Sequence, residues 1–527
     1  MRRRSLLALA GAAAGSLAAP SIVGAQTARP LRFTPFADLS VLDPVWTTAR
    51  PTRNHALLVF DTLYGLDESL TPQPQMIEGH TVEQDGKLWT LTLREGLRFH
   101  DGTAVLGRDV VPSVRRFGAR DGFGQSLLAA TDEIEATSDR TIRFRLKRPF
   151  PHLPLALAGS TAATPVIMPA RLADTDPFQR VNEMIGSGPY RFLADERLVG
   201  NHVAYARFEN YLPRQNGKPS NSSGPKVANF GRVEWIILPD PSTAAGALHK
   251  GEIDWWEFPP NDFQESLAAN RMVRLQQSEP ANAGFMRLNH LNPPFNDPTI
   301  RRLVVAAIDQ SEAMMAVAGT EPGRWQDKVG LFVREMPLAN DAGIEVMTRP
   351  RDYAAIRRDL SAAGYRGDKI VVLVAADAPA GRAMALIGID QLSKAGFNVE
   401  AQTMDFGSLI ARRARKDAPD KGGWSVFFTF LDGVSTFNPA NHFALPSNGA
   451  KAWFGWPDSP KIEALRAAWL DESDLEKQRE ICRALQMRLW LDVPYVPMGA
   501  HYAPTAVRAD LADVRRGLPQ FYGVRRA

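Results

Sequence analysis

The chain has 527 residues with a formal net charge of +4, of which 44% are hydrophobic and 23% charged. That balance is typical of a soluble globular protein, and its length suggests about three domains or lobes. Three of the positive charges are Arg2, Arg3 and Arg4, so without them the chain is nearly neutral and its high isoelectric point does not imply nucleic acid as a partner.

The N-terminal "MRRRSLLALAGAAAGSLAAPSIVGA" has the plan of an export signal: a basic start, an uncharged alanine- and leucine-rich core, and small residues Val23 and Ala25 at the cleavage positions. Residues 1–25 are therefore expected to be a signal peptide. "RRSLL" fits twin-arginine export, with the Sec route as the alternative. No cysteine follows the apolar core, so no direct membrane anchor is expected. The later uncharged run 149–170 holds five prolines, too many for a membrane-spanning helix.

The next elements alternate. In "LWTLTLREGLRFHDG" (88–102), Trp89, Leu91 and Leu93 fall on one face. Glu95-Gly96 makes a turn, and Leu97 and Phe99 are expected to continue into a second strand. "RTIRFRLKRPF" (140–150) places Ile142, Phe144 and Leu146 on one face. Together these predict a small antiparallel sheet. His100-Asp101 within the first stretch could be half of a catalytic pair. Neighbouring strand residues point to opposite faces, however, and Asp101-Gly102 is a strong turn signal. The stretch is accordingly read as a turn. The helix after it begins without a polar cap, at Leu106-Gly107-Arg108-Asp109, and carries Pro112; it is expected to start late or to kink.

Further along, "LPRQNGKPSNSSGPKVANFG" (212–231) reads as a surface excursion. "PTIRRLVVAAIDQSEAMMAVA" (298–318) reads as helix, with Pro298 near its start. "PRDYAAIRRDLSAAGY" is a helix ending at Gly364. From about 350 to 430 helices and strands alternate, as parallel α/β units do. Cys482, the only cysteine, lies on an apolar helical face in "LEKQREICRALQMRLWL" and is expected to be a buried structural thiol.

Catalytic and metal signatures are missing. There is no HExxH, zinc-spaced cluster, GxSxG or Walker loop, and "GSGPY" (186–190) lacks the third glycine of a dinucleotide fingerprint. No enzymatic activity and no cofactor or metal is expected.

The motifs in order resemble the extracytoplasmic solute-binding proteins of peptide- and nickel-type ABC importers, the family 5 binding proteins. The resemblance is carried by "LDP" (42–44), "VFDTLYGLDESL", "DGKLWTLTLREGLRFHDG", "RDVVPSVRR", "GSGPYRF", "LPDPSTAAGALHKGEIDW", "RLNHLNPPFNDPTIRRLVVAAIDQ", "LSAAGY" and "VPYVPMGAHYAPTAV". It implies an α/β, two-lobed periplasmic binding protein fold (type II) with an extra inserted subdomain. The implied division gives lobe I residues 29–55, 183–275 and 495–527, the inserted subdomain 56–182, and lobe II 276–494. It also implies a monomeric periplasmic receptor that closes on a small solute, a di- or oligopeptide first, and passes it to the transmembrane subunits of an ABC permease. The alternatives are a non-peptide solute (an amino-acid conjugate, a sugar derivative or a metal chelate), a secreted hydrolase, or a periplasmic chaperone or sensor on the same fold.

The resemblance also implies ligand residues. Trp46, Thr47, Thr48 and Arg50 follow the opening motif in lobe I. In lobe II, Phe406 and Arg413 lie in "MDFGSLIARRARKD". Thr429, Asp432, Gly433 and Ser435 lie in "GWSVFFTFLDGVSTFNP", the stretch matching the strand that pairs with peptide backbone. An aspartate there takes the α-ammonium in peptide binders; aligned on Asn438-Pro439, that place falls to Ser435, with Asp432 three residues earlier. A cleft-facing Asp432 predicts a cationic or amine-bearing ligand.

Overall fold

The computed structural model describes residues 29–159, 163–277, 280–321, 323–515 and 518–527; the signal-peptide segment lies outside them. Two large sheets dominate. The first has seven strands, in the order Val273–Gln277, Pro504–Arg508, Trp255–Trp256, Leu31–Thr34, Arg232–Ile236, His202–Arg207 and Tyr190–Phe192. Its core holds Phe33, Tyr205, Trp235, Trp255 and Phe521 in edge-to-face and tilted ring contacts. The second has six strands, in the order Trp325–Gln326, Val496–His501, Asn282–Leu288, Val426–Asp432, Lys369–Ala375 and Asn398–Met404.

The chain crosses between the sheets twice, after Gln277 and after His501. Gln277 pairs with Pro504 in the first sheet, and Asn282 pairs with His501 in the second, so an antiparallel ladder in each sheet flanks the two crossings. The stretch 493–507 is therefore two strands in two lobes. The return to lobe I begins after Tyr502, not at 495, because Val496–His501 completes the ladder of lobe II. In each sheet a set of parallel strands ends at the edge facing the other lobe. Carboxyl ends of parallel strands are where open α/β sheets place ligands.

The inserted subdomain is a four-stranded sheet, Ile77–Glu83, Leu88–Leu93, Thr141–Leu146 and Thr131–Ala136 in that spatial order, backed by helices Gly107–Arg120 and Gly122–Ala130. Trp89, Leu91 and Leu93 are buried on one face, as their alternation predicts. Leu97 and Phe99 are buried too, but they form no further strand; only Arg98 and Ala104 bridge. The helix after the turn starts promptly at Gly107. The Asp109 carboxylate accepts the Leu106 N–H at 2.9 Å, and the Asp139 carbonyl accepts that of Gly107 at 2.7 Å. Those partners replace the missing cap side chain.

Two other expectations change. Residues 298–318 are two helices, Pro298–Ala307 and Gln310–Ala318. Asp309 separates them, because its carboxylate caps the second by accepting from Ser311 and Glu312 N–H. The excursion 212–231 is not wholly superficial: Lys226 is 1% exposed and pairs with buried Asp61 at 2.7 Å. Cys482 is buried. Among the described residues no helix is long and apolar enough to cross a membrane, and no group of side chains is arranged to hold a metal ion.

His100 and Asp101 are a turn and a clamp. Asp101 accepts from Thr103 N–H and hydroxyl, closing the turn. The His100 ring points the other way, its Nε2 donating to the Gly188 carbonyl at 3.0 Å, while the His100 backbone N–H donates to the Gly186 carbonyl at 2.8 Å. Burial pushes the imidazole down to about 4, only partly offset by the Gly188 carbonyl. Burial likewise holds His55 and His442 down to about 3 and His501 to about 4.

These four rings stay neutral in the folded chain but take up protons near pH 6.5 once unfolded. Stability is then constant above pH 6.5 and falls as pH drops from there towards 4, because the unfolded state binds more protons. Thermal unfolding followed between pH 8 and pH 4.5, above the ordinary carboxylate range, should show a flat midpoint down to about pH 6.5 and a steady decline below it.

Candidate functional site

The helix Arg50–Val59 starts at the rim of lobe I, with Pro51 in its first turn. Pro there costs no intrahelical bond and presets the backbone. Arg50 and Arg53 are three residues apart and share a helix face. Two arginines at the positive end of a helix dipole would repel it, so each needs an anion. Arg50 has Glu257, just past the strand Trp255–Trp256: its Nε donates to the carboxylate at 2.7 Å. Glu257 is 1% exposed and also accepts from Asn54 Nδ2 at 3.0 Å and the Phe36 N–H at 2.9 Å. The Arg50 guanidinium lies 4.5 Å over the Phe258 ring, and Phe36, half exposed, packs edge-on against Phe258.

Arg53 finds its anion on the other lobe. Its Nη2 donates to Asp432 Oδ2 at 2.6 Å, and its Nη1 to Ser435 Oγ at 2.6 Å. Ser435 Oγ donates back to Asp432, and the Ser435 N–H to Asp432 Oδ1 at 3.0 Å. The three side chains thus form a closed ring across the cleft. Arg53 is 4% exposed and Asp432 20%. Burial works to raise the Asp432 carboxyl, but Arg53 and then Arg50 outweigh it and hold it below the ordinary range. Ser435 and Asp432 therefore act together, and the cation that Asp432 calls for is supplied by the protein.

Beyond this ring, the strand Val426–Asp432 is paired on one side along its whole length with Asn282–Leu288. On the other side it meets Lys369–Ala375 only at Val426 and Phe427. From Phe428 to Asp432 that edge has no strand partner among the described residues. Thr429 is half-buried on it. Gly433 serves packing: a Cβ there would lie 2.8 Å from Pro280 Cγ and 2.9 Å from the Ala281 carbonyl. Phe406 follows the strand Asn398–Met404 at the same rim and is 38% exposed.

The remaining expected ligand residues lie elsewhere. The Trp46 ring is held between the guanidiniums of Arg120 and Arg180, at 4.6 and 5.3 Å, which assigns it to the junction of lobe I and the subdomain. Thr47 accepts the Ala49 N–H, and Thr48 is exposed. Arg413 sits on Phe427, Trp453 and Phe454 at 4.9–5.8 Å, towards the amino end of the strand that carries Asp432 at its carboxyl end. Burial lowers its guanidinium to about 10. The sequence reading missed Arg53, Asn54 and Glu257; the three-residue spacing of Arg50 and Arg53 was the available signal.

A second contact joins the subdomain to lobe II. His152 stacks on Trp469 with centroids 4.2 Å apart and planes 6° apart, its Nε2 3.1 Å from the Trp469 carbonyl, and Arg148 pairs with Asp471.

Residues 71–452 match the family model described as "Bacterial extracellular solute-binding proteins, family 5 Middle". The chain is 34% identical to "Probable peptide ABC transporter periplasmic-binding protein y4tO" of Sinorhizobium fredii, covering 100% of this chain and 99% of the relative. It is 24% identical to glutathione-binding protein GsiB of Pectobacterium atrosepticum over 91% of each. Among solved structures, the periplasmic binding protein DppA of Helicobacter pylori in complex with the peptide STSA superposes with a TM-score of 0.80 at 20% identity, covering 94% of this chain and 98% of that one.

The ring makes a clear energetic prediction. Arg53→Met leaves Asp432 charged, mostly buried and without its ion-pair partner, a loss of about 3–5 kcal/mol. Replacing both residues, as Arg53→Met with Asp432→Leu, removes the stranded charge. Thermal unfolding should place the double variant above the Arg53→Met single variant.

Proposed function

Because the chain belongs to family 5 of the bacterial extracellular solute-binding proteins, we propose that it is a periplasmic receptor that closes on a peptidic solute and delivers it to the permease of an ABC importer. The observation that carries the peptide reading is the free edge of Phe428–Asp432 at the cleft rim. An extended ligand can add its main chain to such an edge, gaining affinity from backbone hydrogen bonds and specificity from side-chain pockets. The relative from Sinorhizobium fredii, named for a peptide ABC transporter and matched end to end, supports the same reading.

In this reading Arg50, Thr429, Asp432, Gly433 and Ser435 shape the ligand's surroundings, with Phe36, Phe258 and Phe406 as apolar rim. Ser435 Oγ accepts from the Arg53 guanidinium and donates to Asp432, whose carboxylate Arg53 and Arg50 hold below the ordinary range and so make a poor proton acceptor, which favours binding over hydrolysis. The His152–Trp469 stack and the Arg53–Asp432 ring are among the contacts that hold the lobes together around a ligand.

Isothermal titration calorimetry with a panel of di- to tetrapeptides is the test. Saturable binding of at least one peptide class, with a negative heat-capacity change from apolar burial, is the expected result. Absence of heat across chemically varied sequences and lengths would exclude a peptidic solute and favour an amino-acid conjugate or other small solute.

A further inference from the structure

The cleft holds its own cation where a peptide's ammonium would otherwise be needed. We infer that the receptor selects solutes that carry a carboxylate but no free ammonium group, an N-blocked peptide or N-acylated amino acid, with Arg50 as the carboxylate-binding residue. The inference rests on the peptide-receptor reading above and specifies the charge of the ligand.

The first observation is how little of Asp432 is left. It accepts from Arg53 Nη2, from the Ser435 N–H and from the Ser435 hydroxyl. A carboxylate offers about four lone-pair sites. An incoming ammonium would find most of them taken and two guanidiniums beside it. To take the site it would have to displace Arg53, which is 4% exposed and already carries an unpartnered buried Nε. Stranding that charge in the interior is the costly outcome.

The second observation is how much of Arg50 is free. Glu257 engages only its Nε; neither terminal amino group has a hydrogen-bond partner. The side chain is 14% exposed, and it is fixed by the Glu257 ion pair on one side and the Phe258 ring beneath. A planar guanidinium held in this way presents paired N–H donors in a fork suited to a carboxylate. It also stands at the N-terminus of a 10-residue helix, the positive end of its dipole. Among the described residues, Arg53 Nε lacks an acceptor and the Arg50 amino groups have no hydrogen-bond partner, while Glu257 and Asp432 are committed to the protein and Asn54 Oδ1, a neutral amide oxygen, lacks a donor. A ligand anion facing Arg50 therefore gains charged donors, whereas a ligand cation finds both carboxylates already paired with arginines.

The test uses the purified full chain and three pools of randomised tripeptides: free at both ends, N-acetylated, and N-acetylated with a C-terminal amide. Bound masses are read by native mass spectrometry in competition, and affinities by calorimetry. The N-acetylated acid pool should bind at least about tenfold more tightly than either other pool, the scale of one charge-assisted contact. Arg50→Gln should abolish the preference for acid over amide; because it also leaves the buried Glu257 carboxylate without its ion-pair partner, its thermal midpoint should fall, and its binding is read well below that midpoint. The wild-type comparison alone stays decisive if that variant folds poorly. Equal or tighter binding of the free-amine pool would overturn the inference while leaving the peptide receptor standing; so would equal binding of acid and amide. Silence from all three pools would overturn the peptide reading beneath it.

Discussion

A guanidinium withdrawn from water must be given an anion, and Arg53 takes one from the opposite lobe. The ring it makes with Asp432 and Ser435 links the first helix of lobe I to the loop after the central strand of lobe II. Each member uses the others' hydrogen-bonding capacity, so a relative shift of the lobes breaks several charge-assisted bonds at once. Such a ring is worth little as bulk stability, since desolvating both ions offsets most of their attraction. Its value is geometric. It fixes the distance between the two rims that would enclose a solute, and it does so next to the crossing ladder in which Asn282 pairs with both Asp432 and His501.

Arg53 can play this part only if its helix is held still, and the turn that carries His100 helps to hold it. The His100 ring and backbone grip the carbonyls of Gly188 and Gly186. The Gly188 N–H in turn donates to the Val59 carbonyl at 2.9 Å, capping the last turn of the helix that begins at Arg50. Neither glycine tolerates a side chain: a Cβ at Gly186 would fall 2.0 Å from the Val59 carbonyl, and one at Gly188 2.6 Å from that of Leu58. The inserted subdomain, the glycine loop and the arginine helix are thus mechanically in series. A pair that looked like chemistry, His100-Asp101, positions the chemistry from a distance.

How much of this the sequence disclosed depended on the range of the interaction. Alternation around Trp89 to Leu93, the turn at Asp101-Gly102 and the apolar setting of Cys482 are local matters, and local patterning carries them. The break at Asp309 was legible in principle, since an aspartate followed by Gln310-Ser311-Glu312 is a cap signal, but a continuous apolar period masked it. The prompt start at Gly107 was only half legible: Asp109 at N3 is a local cap partner for Leu106, but the Asp139 carbonyl that takes the Gly107 N–H comes from a distant turn. The cleft shows the same division. Asp432 and Ser435 stood out from a motif, whereas Arg53 and Glu257 lie 379 and 207 residues from their partners, and no spacing rule reaches that far. The setting of Trp46 was hidden for a related reason. It follows the opening motif, but Arg120 and Arg180, both distant in sequence, hold its ring at the subdomain junction.

Selectivity in a closed cleft depends as much on what is refused as on what is bound. A receptor whose aspartate waits for an ammonium has a charge unbalanced until the ligand arrives. Here the same carboxylate is balanced beforehand by a residue three positions from Arg50 on one helix face. The immediate effect is that an ammonium gains nothing from Asp432 that the protein has not already obtained. The less obvious effect falls on Arg50. Because Arg53 neutralises Asp432, that carboxylate cannot also satisfy Arg50, and Glu257 reaches only one edge of it. One ion pair across the lobes thus closes a cation site and leaves an anion site open, and both follow from Arg53 spending its charge on the far lobe.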